Sequence, residues 1–109
     1  MKHVEDPSSK NLYYAKTILA QAGKLTLLAI GCLNPVALEE TKDRRGGVQF
    51  KVNSPKPRQY CRVELTWMDL YKITHFRLKR GTFDEIVIAE TDGVFCDQLS
   101  DELWNTTQH

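Results

Sequence analysis

Two short segments in the middle of the chain alternate apolar and polar residues, and this alternation constrains the fold more than any other feature. It runs through residues 48–52 and again through residues 61–65. Successive side chains of a β-strand point to opposite faces of the sheet, so each segment is predicted to be a strand with one buried face. Pro55 and Pro57 lie between them and end the first strand, because proline cannot extend a paired ladder.

A third strand-like segment, residues 70–79, follows the short connection Thr66–Asp69, and it is predicted to form a hairpin with the strand before it. If the tip of this hairpin has two residues, Cys61 faces Thr74 across the strands. His75 then lies on the opposite side of the sheet from Cys61. A nucleophilic Cys–His pair is therefore not expected unless the register shifts by one residue.

Helical spacing of apolar residues predicts a helix near each end of the chain, at residues 9–23 and at residues 95–105. Gly23 offers a C-terminal stop for the first of them. A last strand is predicted at residues 85–90, after the turn residues Arg80-Gly81-Thr82.

The segment between the first helix and the first alternating strand is harder to assign. Residues 24–30 form an apolar, partly β-branched run that is too short for a second helix, and they are predicted to be a buried strand. Residues 35–40 are predicted to form one or two helical turns. The reason is that Asn34-Pro35 fits a helix cap followed by a first-turn proline.

Together these elements predict an α+β fold, with a mainly antiparallel sheet of about five strands flanked by an N-terminal and a C-terminal helix. The 109 residues, 41% of them hydrophobic, fit one domain with a single core. Residues 1–7 and 106–109 are predicted to be frayed, as chain ends commonly are.

Several classes of protein and site are not expected. The longest apolar run, residues 25–33, is much shorter than the roughly 20 residues that a membrane-spanning helix needs. Residues 1–6 include the acidic pair Glu5-Asp6 where a signal peptide would need a basic start and an apolar stretch, so a cytoplasmic location is expected. The three cysteines are far apart and match no disulfide or metal-binding spacing. No metal, cofactor or catalytic constellation is predicted, and the protein is expected not to be an enzyme.

The net charge of +1 conceals a strong asymmetry along the chain. Residues 42–80 hold eleven basic residues against three acidic ones, and aromatic residues such as Tyr60 are interleaved with them. This composition suits a surface that grips phosphates and stacks on bases. The alternative is that these charges are neutralised within the fold or line a solvated surface. The candidate nucleic-acid-binding residues are Arg44, Arg45, Lys56, Arg58, Arg62, Lys79 and Arg80.

The C-terminal part of the chain has the opposite charge, with seven acidic residues and no lysine or arginine from residue 83 onward. Acidic residues on the predicted C-terminal helix could bind a basic groove of another protein. Aromatic residues near the hairpin turn, if exposed, would be good anchors for a partner; if buried, they would close one end of the core. The candidate partner-binding residues are Trp67, Tyr71, Asp97, Asp101 and Glu102.

Five stretches of the chain resemble a group of small uncharacterised proteins found on bacteriophages and integrative elements. These stretches are Thr17–Gly23, Gly47–Val52, Arg62–Leu65, Met68–Tyr71 and Gly93–Leu99. The resemblance covers roughly residues 17–107 and departs most at residues 32–45, where that group tends to have a shorter loop. It implies a genomic setting and no particular activity.

This setting favours a small non-enzymatic interaction module of a phage or mobile element. Such a protein could inhibit a bacterial defence system, as anti-CRISPR proteins do, by occupying the surface of a host protein or protein–nucleic-acid complex. The second hypothesis is a nucleic-acid-binding accessory protein that uses residues 42–80. A third is a small-ligand or nucleotide-binding protein with its pocket between sheet and helices.

Overall fold

The alternating segments pair into one antiparallel sheet, as their pattern predicts. A computed structural model describes residues 7–53 and 58–108, and their side chains from residue 9 onward. Within these residues the elements follow in chain order: α1 Pro7–Ala22, α2 Lys24–Ala29, β1 Leu33–Leu38, β2 Gly46–Val52, β3 Gln59–Leu65, β4 Tyr71–Leu78, β5 Glu85–Val94, a 3-10 turn at Cys96–Gln98, and α3 Leu99–Thr107.

The sheet has the simplest possible topology. Its five strands lie in the order β1-β2-β3-β4-β5, and each strand is antiparallel to the next. This arrangement confirms the predicted α+β class, with an N-terminal helix and a C-terminal helix beside an antiparallel sheet. Short connections between consecutive strands favour this topology, because antiparallel neighbours need only a tight turn.

The core lies between one face of the sheet and the helices. α1 packs on β1 and β2, and α3 packs on β4 and β5. Ile18 of α1 and Leu103 of α3 are 1% and 0% exposed, and they meet buried side chains of the central strands such as Val48, Val63 and Ile73. Burying the alternate residues of β2 and β3 against two amphipathic helices stabilises the fold by the hydrophobic effect.

The two assignments made between α1 and β2 are wrong. Residues 24–30, predicted as a strand, contain α2, whose turns are closed by Leu27 N–H to Gly23 O (3.1 Å) and Ile30 N–H to Thr26 O (3.1 Å). Periodicity alone cannot separate a short buried strand from a short helix, and most residues of this run are good helix formers.

Residues 35–40, predicted as helical turns, instead supply most of β1. Asn34 has a φ of 53°, the left-handed conformation, and so does not cap a helix. The pairing with β2 is irregular between Leu33 and Val36, and Pro35 sits in this irregular part of an edge strand. An edge strand with a bulge tolerates the missing N–H of proline.

The predicted fraying of the C-terminus is also wrong for the described residues up to 108. α3 continues to Thr107, and Thr106 and Thr107 are 2% and 0% exposed. The Thr106 hydroxyl donates to Glu102 O (2.6 Å) and lies 2.7 Å from the Thr91 hydroxyl of β5. The contact with Thr91 joins the last helical turn to the sheet. Residues 1–6 and residue 109 lie outside the described part of the chain, and Pro7 already belongs to α1.

The register of the β3–β4 hairpin differs from the predicted one by one residue. Cys61 is paired with His75 rather than with Thr74, so the two side chains lie on the same face. The cause is the turn. Thr66 N–H donates to Leu70 O (2.9 Å), and Asp69 adopts a φ of 61°, which gives a tip of three residues instead of two. Three-residue tips of this kind have a left-handed residue at their end.

The close approach of β2 to β3 gives a test of this fold. A Cβ added at Gly47 would lie 2.4 Å from the backbone oxygen of Val63, whereas one at Gly46 would meet the side chain of Tyr14 at 2.8 Å. Gly47→Ala must therefore displace a paired strand, and we expect it to lower the free energy of unfolding by about 1–3 kcal/mol. Gly46→Ala, the matched control, should cost less because a side chain yields more easily than backbone. Urea unfolding followed by circular dichroism measures both, and equal losses would contradict the predicted pairing.

Candidate nucleic-acid interface

The face of the sheet opposite the core carries its own set of side chains. The pairing Gln49–Arg62–Thr74 forms one cross-strand row on this face, and Tyr60 and Phe76 are paired in the next row. We call these residues the open face. The helices that pack on the sheet contact its core side, because their buried residues meet Val48, Val63 and the other residues of the core cluster. The open face therefore carries polar and aromatic side chains on the side away from the helices; Thr74 and Phe76 are buried there, and the other three are half-buried.

Aromatic stacking organises the centre of the open face. The rings of Tyr60 and Phe76 are stacked, with centroids 5.6 Å apart and planes inclined by 18°. The Arg62 guanidinium lies 4.9 Å from the Phe76 centroid. Phe76 is only 1% exposed although it lies outside the main core. Its two neighbours thus shield it from water, and the cation–π contact adds to the burial.

Arg62 is held in place by acidic partners. Its Nη2 and Nη1 donate to the two carboxylate oxygens of Glu85 at 2.7 and 3.0 Å, and its Nε lies 3.6 Å from Glu64. The hydrogen bond to Glu85 raises the pKa of Arg62, and the same bond lowers the pKa of Glu85 below its usual 4.5. Arg62 was predicted to contact nucleic acid, but its guanidinium is already paired within the fold.

A basic groove lies at one end of the open face. It is lined by Arg58, Tyr60, Leu78, Lys79, Arg80, Gly81 and Phe83, and its volume is about 510 Å³. Arg58, Lys79 and Arg80 are all exposed. None of the three forms an ion pair with another described residue. The groove therefore combines three cations that form no ion pair with a described residue and two aromatic rings.

The loop between β4 and β5 fixes one wall of the basic groove. Lys79 N–H donates to Asp84 O (2.7 Å), and Phe83 N–H donates to Lys79 O (2.9 Å). Phe83 has a φ of 60° and is 75% exposed. A bulky residue in the left-handed region is strained, typically by about 1–3 kcal/mol, and such strain concentrates at functional sites. The strain and the exposure together mark Phe83 as a candidate contact residue.

The structure brings together three of the seven predicted nucleic-acid-binding residues. Arg58 precedes β3 and Lys79 and Arg80 follow β4, so all three lie at the same end of the antiparallel pair. Arg44 and Arg45 precede β2 and therefore lie at the opposite end. Lys56 lies outside the described residues.

Arg44 and Arg45 have structural partners at their end of the sheet. Arg44 Nη1 is 3.1 Å from Glu64 and its Nε donates to Glu39 O (2.9 Å). Arg45 lies 4.8 Å from the centroid of Trp67, and its Nε is 3.0 Å from Asp69. The charges of these two arginines are therefore neutralised by carboxylates within the fold. This agrees with the alternative interpretation of the basic segment.

The predicted partner-binding residues differ in how far they are exposed and in what they contact. Trp67 is 44% exposed, but its indole N–H donates to Thr41 O (3.1 Å) and its ring is covered by Arg45. Tyr71 is 4% exposed and its hydroxyl donates to Gln21. Burial leaves Tyr71 no surface to offer a partner, which corrects its assignment as an anchor.

The three acidic candidates lie on the C-terminal segment. Asp97 belongs to the 3-10 turn, and Asp101 and Glu102 belong to the first turn of α3. The two aspartates are exposed and Glu102 is half-buried. The carboxylates of Asp97 and Asp101 are therefore open to solvent, and their role in binding a partner stays a prediction.

The shifted register places Cys61 and His75 on the same face, contrary to the sequence-based prediction. Both are 0% exposed, and His75 Nε2 lies 2.7 Å from the Gln59 side-chain oxygen. Burial raises the pKa of the Cys61 thiol, so it stays protonated at neutral pH. Since the thiolate is the nucleophile, this pair belongs to the core rather than to the floor of a cleft.

Phe83 was missed by the sequence-based interpretation, which took its surroundings only as a turn. The available signal was a bulky apolar residue directly after Arg80-Gly81-Thr82, where polar and small residues are usual. A hydrophobic side chain in a turn has little to pack against, and its exposure could have been expected.

Comparison of the chain with protein-family models, with curated proteins and with solved structures finds no match in any of the three. Among the helices of the described residues, none has the length and apolar character needed to cross a membrane.

The Arg62–Glu85 pair predicts a pH dependence of stability. The pKa of Glu85 is lower in the folded protein than in the unfolded chain, so the pair stabilises the fold above about pH 4.5 and loses this effect as pH falls through the lowered pKa. Glu85→Gln should lower the Tm at neutral pH by an amount that corresponds to at most about 1 kcal/mol, since the pair is partly solvent-exposed. The difference from wild type should shrink as pH falls below 4.5 and through the lowered pKa of Glu85.

Thermal unfolding followed by circular dichroism across this pH range measures the effect. Glu39→Gln controls for the loss of one negative charge, because Glu39 is exposed and its carboxylate has no ion pair within residues 9–53 and 58–108. A Glu85→Gln difference that stays constant down to acid pH would contradict the assigned pKa shift.

Proposed function

We propose that this protein binds single-stranded nucleic acid in the basic groove. One observation carries the proposal: three cations without an ion-pair partner among the described residues share a groove with two aromatic rings. This combination of charge and stacking surface is typical of proteins that bind single strands with little sequence preference.

The cations supply affinity for phosphate. Arg58, Lys79 and Arg80 are exposed, and binding a phosphate backbone would release its condensed counter-ions, which is favourable at low salt. Glu85, the strand partner of the groove residue Leu78, accepts two hydrogen bonds from Arg62, which neutralise its charge. The Arg62–Glu85 pair thus limits the repulsion that this carboxylate would exert on a phosphate in the groove.

The aromatic rings favour a single strand over a duplex. Phe83 presents 75% of its surface to solvent, and Tyr60 lines the same groove. A base can stack on such a ring only when it is not already paired and stacked within a duplex. Tyr60 is kept in position by its stack on Phe76, which lowers the entropy lost when a base binds.

The hypothesis of a phage or mobile-element inhibitor of bacterial defence stays a prediction, because it depends on a genomic setting. A single-strand-binding surface is compatible with that setting, since many defence complexes hold nucleic acid. The proposal of nucleic-acid binding does not require it.

The contribution of the cations can be tested by charge reversal. Lys79→Glu with Arg80→Glu should weaken binding of fluorescein-labelled oligo(dT) and oligo(rU) by about tenfold or more in fluorescence anisotropy at low salt. The matched control, Lys16→Glu with Lys42→Glu, makes the same change in net charge at exposed positions outside the groove.

The affinity of the wild-type protein should also fall as the salt concentration rises. A plot of log affinity against log salt concentration should have a slope of about −2 if three cations each contact a phosphate.

Equal losses in the two double variants would show that net charge alone is responsible and would overturn the assignment of the groove. The absence of any binding to either oligonucleotide at low salt would overturn the function itself. Tighter binding to a duplex of the same length than to the single strand would reject the preference for single strands.

Phe83 allows a test in which stability and function change separately. Asparagine tolerates the left-handed conformation better than phenylalanine does, so Phe83→Asn should keep or raise the Tm. The same change should weaken oligonucleotide binding by roughly 5- to 150-fold, the range that corresponds to the loss of one stacked base. Thermal unfolding measures the effect on stability, and fluorescence anisotropy measures the effect on binding.

Met68→Asn, at another exposed apolar position, is the control for binding. Unchanged binding by Phe83→Asn would exclude a stacking role for this ring.

A further inference from the structure

The apolar surface of α2 is left uncovered by the described part of the chain. None of the six residues of α2, Lys24–Ala29, is buried. Leu25 and Leu28 are 83% and 68% exposed, whereas Leu27 packs against the core. Leu25 faces α3, whereas Leu28 lies with Leu27 in a separate depression, and an exposed leucine is costly to hydrate.

A groove lies between this helix and α3. It is lined by Leu25, Thr26, Ala29, Ser100, Asp101, Glu102, Trp104 and Asn105, and its volume is about 540 Å³. The hydroxyls of Thr26 and Ser100 are 2.6 Å apart, so a direct hydrogen bond ties the two helices together. Trp104 is 42% exposed. We call this the α2–α3 groove; it offers apolar side chains from both helices.

The charge of the α2–α3 groove indicates what it binds. Asp101 and Glu102 lie on its α3 side, and residues 81–109 contain no lysine or arginine. Neither carboxylate forms an ion pair with another residue of the described chain. A ligand that places cations on these carboxylates and apolar side chains on Leu25 and Trp104 would satisfy both parts of the surface.

We propose that the α2–α3 groove docks a basic, amphipathic helical segment of a partner protein. The apolar residues of this mixed groove, Leu25, Ala29 and Trp104, can contact the apolar face of such a helix, and its carboxylates select a partner of opposite charge. The occupant is a segment with leucine-like residues on one face and Lys or Arg beside them. This inference is independent of the nucleic-acid proposal, because the two sites use different residues.

The two sites lie on opposite sides of the sheet. The α2–α3 groove is built from helices, on the side where α3 packs on β4 and β5, whereas Tyr60 of the basic groove belongs to the open face. Both grooves can therefore be occupied together. A protein built this way would link a single strand to a basic partner protein.

A pair of synthetic peptides tests the occupant. The probe is a fluorescein-labelled amphipathic helix of Leu, Ala and Lys, with Leu on one face and Lys on the other, and its match has Glu in place of Lys. We expect the Lys peptide to bind the wild-type protein about tenfold more tightly than the Glu peptide. Asp101→Lys with Glu102→Lys should remove this difference. Glu39→Lys with Asp43→Lys makes the same change in net charge at exposed positions outside the groove and should preserve it.

The apolar part of the contact is tested with Leu25→Ser, which alters an exposed side chain and should leave the circular dichroism spectrum unchanged. It should weaken binding of the Lys peptide by about tenfold or more, since the apolar area that leucine buries on binding is lost. Leu12→Ser, at an exposed leucine of α1 outside the groove, is the matched control.

Three results would overturn the proposal. The first is no binding of the Lys peptide, or equal binding of both peptides. The second is an equal loss in the Glu39/Asp43 control variant, which would reduce the effect to net charge. The third is a dimer in analytical ultracentrifugation that Leu25→Ser dissociates, because the occupant would then be a second copy of this chain.

Discussion

The pairing of β3 with β4 decides on which face of the sheet each side chain lies, and the rest of the structure depends on it. With Cys61 opposite His75, the residues Cys61 and Val63 enter the core, and Tyr60 and Arg62 are placed on the open face. A shift of one residue would exchange the two sets. It would bury a guanidinium away from Glu85 and expose the central apolar residues, at a cost of several kcal/mol. The three-residue turn that ends at Asp69 therefore specifies the register on which both core and open face are built.

The basic segment serves two different purposes in the folded protein. Arg44, Arg45 and Arg62 are paired with Glu64, Asp69 and Glu85, and two of them also cover aromatic rings. They contribute to packing through their long side chains as well as through charge. Arg58, Lys79 and Arg80 keep their charges at the surface of one groove. A cation that already has a carboxylate partner gains little from a phosphate, so only the second group is suited to binding.

The strong separation of charge along the chain becomes a separation in space. The basic groove lies at the end of the open face formed by the start of β3 and the β4–β5 loop, and the acidic residues of α3 lie on the side of the helices. The two proposed sites therefore carry charges of opposite sign on different sides of one sheet. The apolar side chains of each groove, Phe83 in one and Leu25 in the other, provide contact area that charge alone does not.

The sequence by itself determined the fold class, four of the five strands, the helices near each end and the sign of the charge in each part. These follow from side-chain periodicity and composition, which act locally along the chain. Only the tertiary structure decided that residues 24–30 are helical and residues 35–40 extended, because pairing with β2 and packing on the core outweigh weak local preferences. The selection of Arg58, Lys79, Arg80 and Phe83 as one site also required the tertiary structure. It depends on which strand ends lie side by side in the antiparallel sheet. It also depends on which arginines form ion pairs with carboxylates that are distant in the sequence.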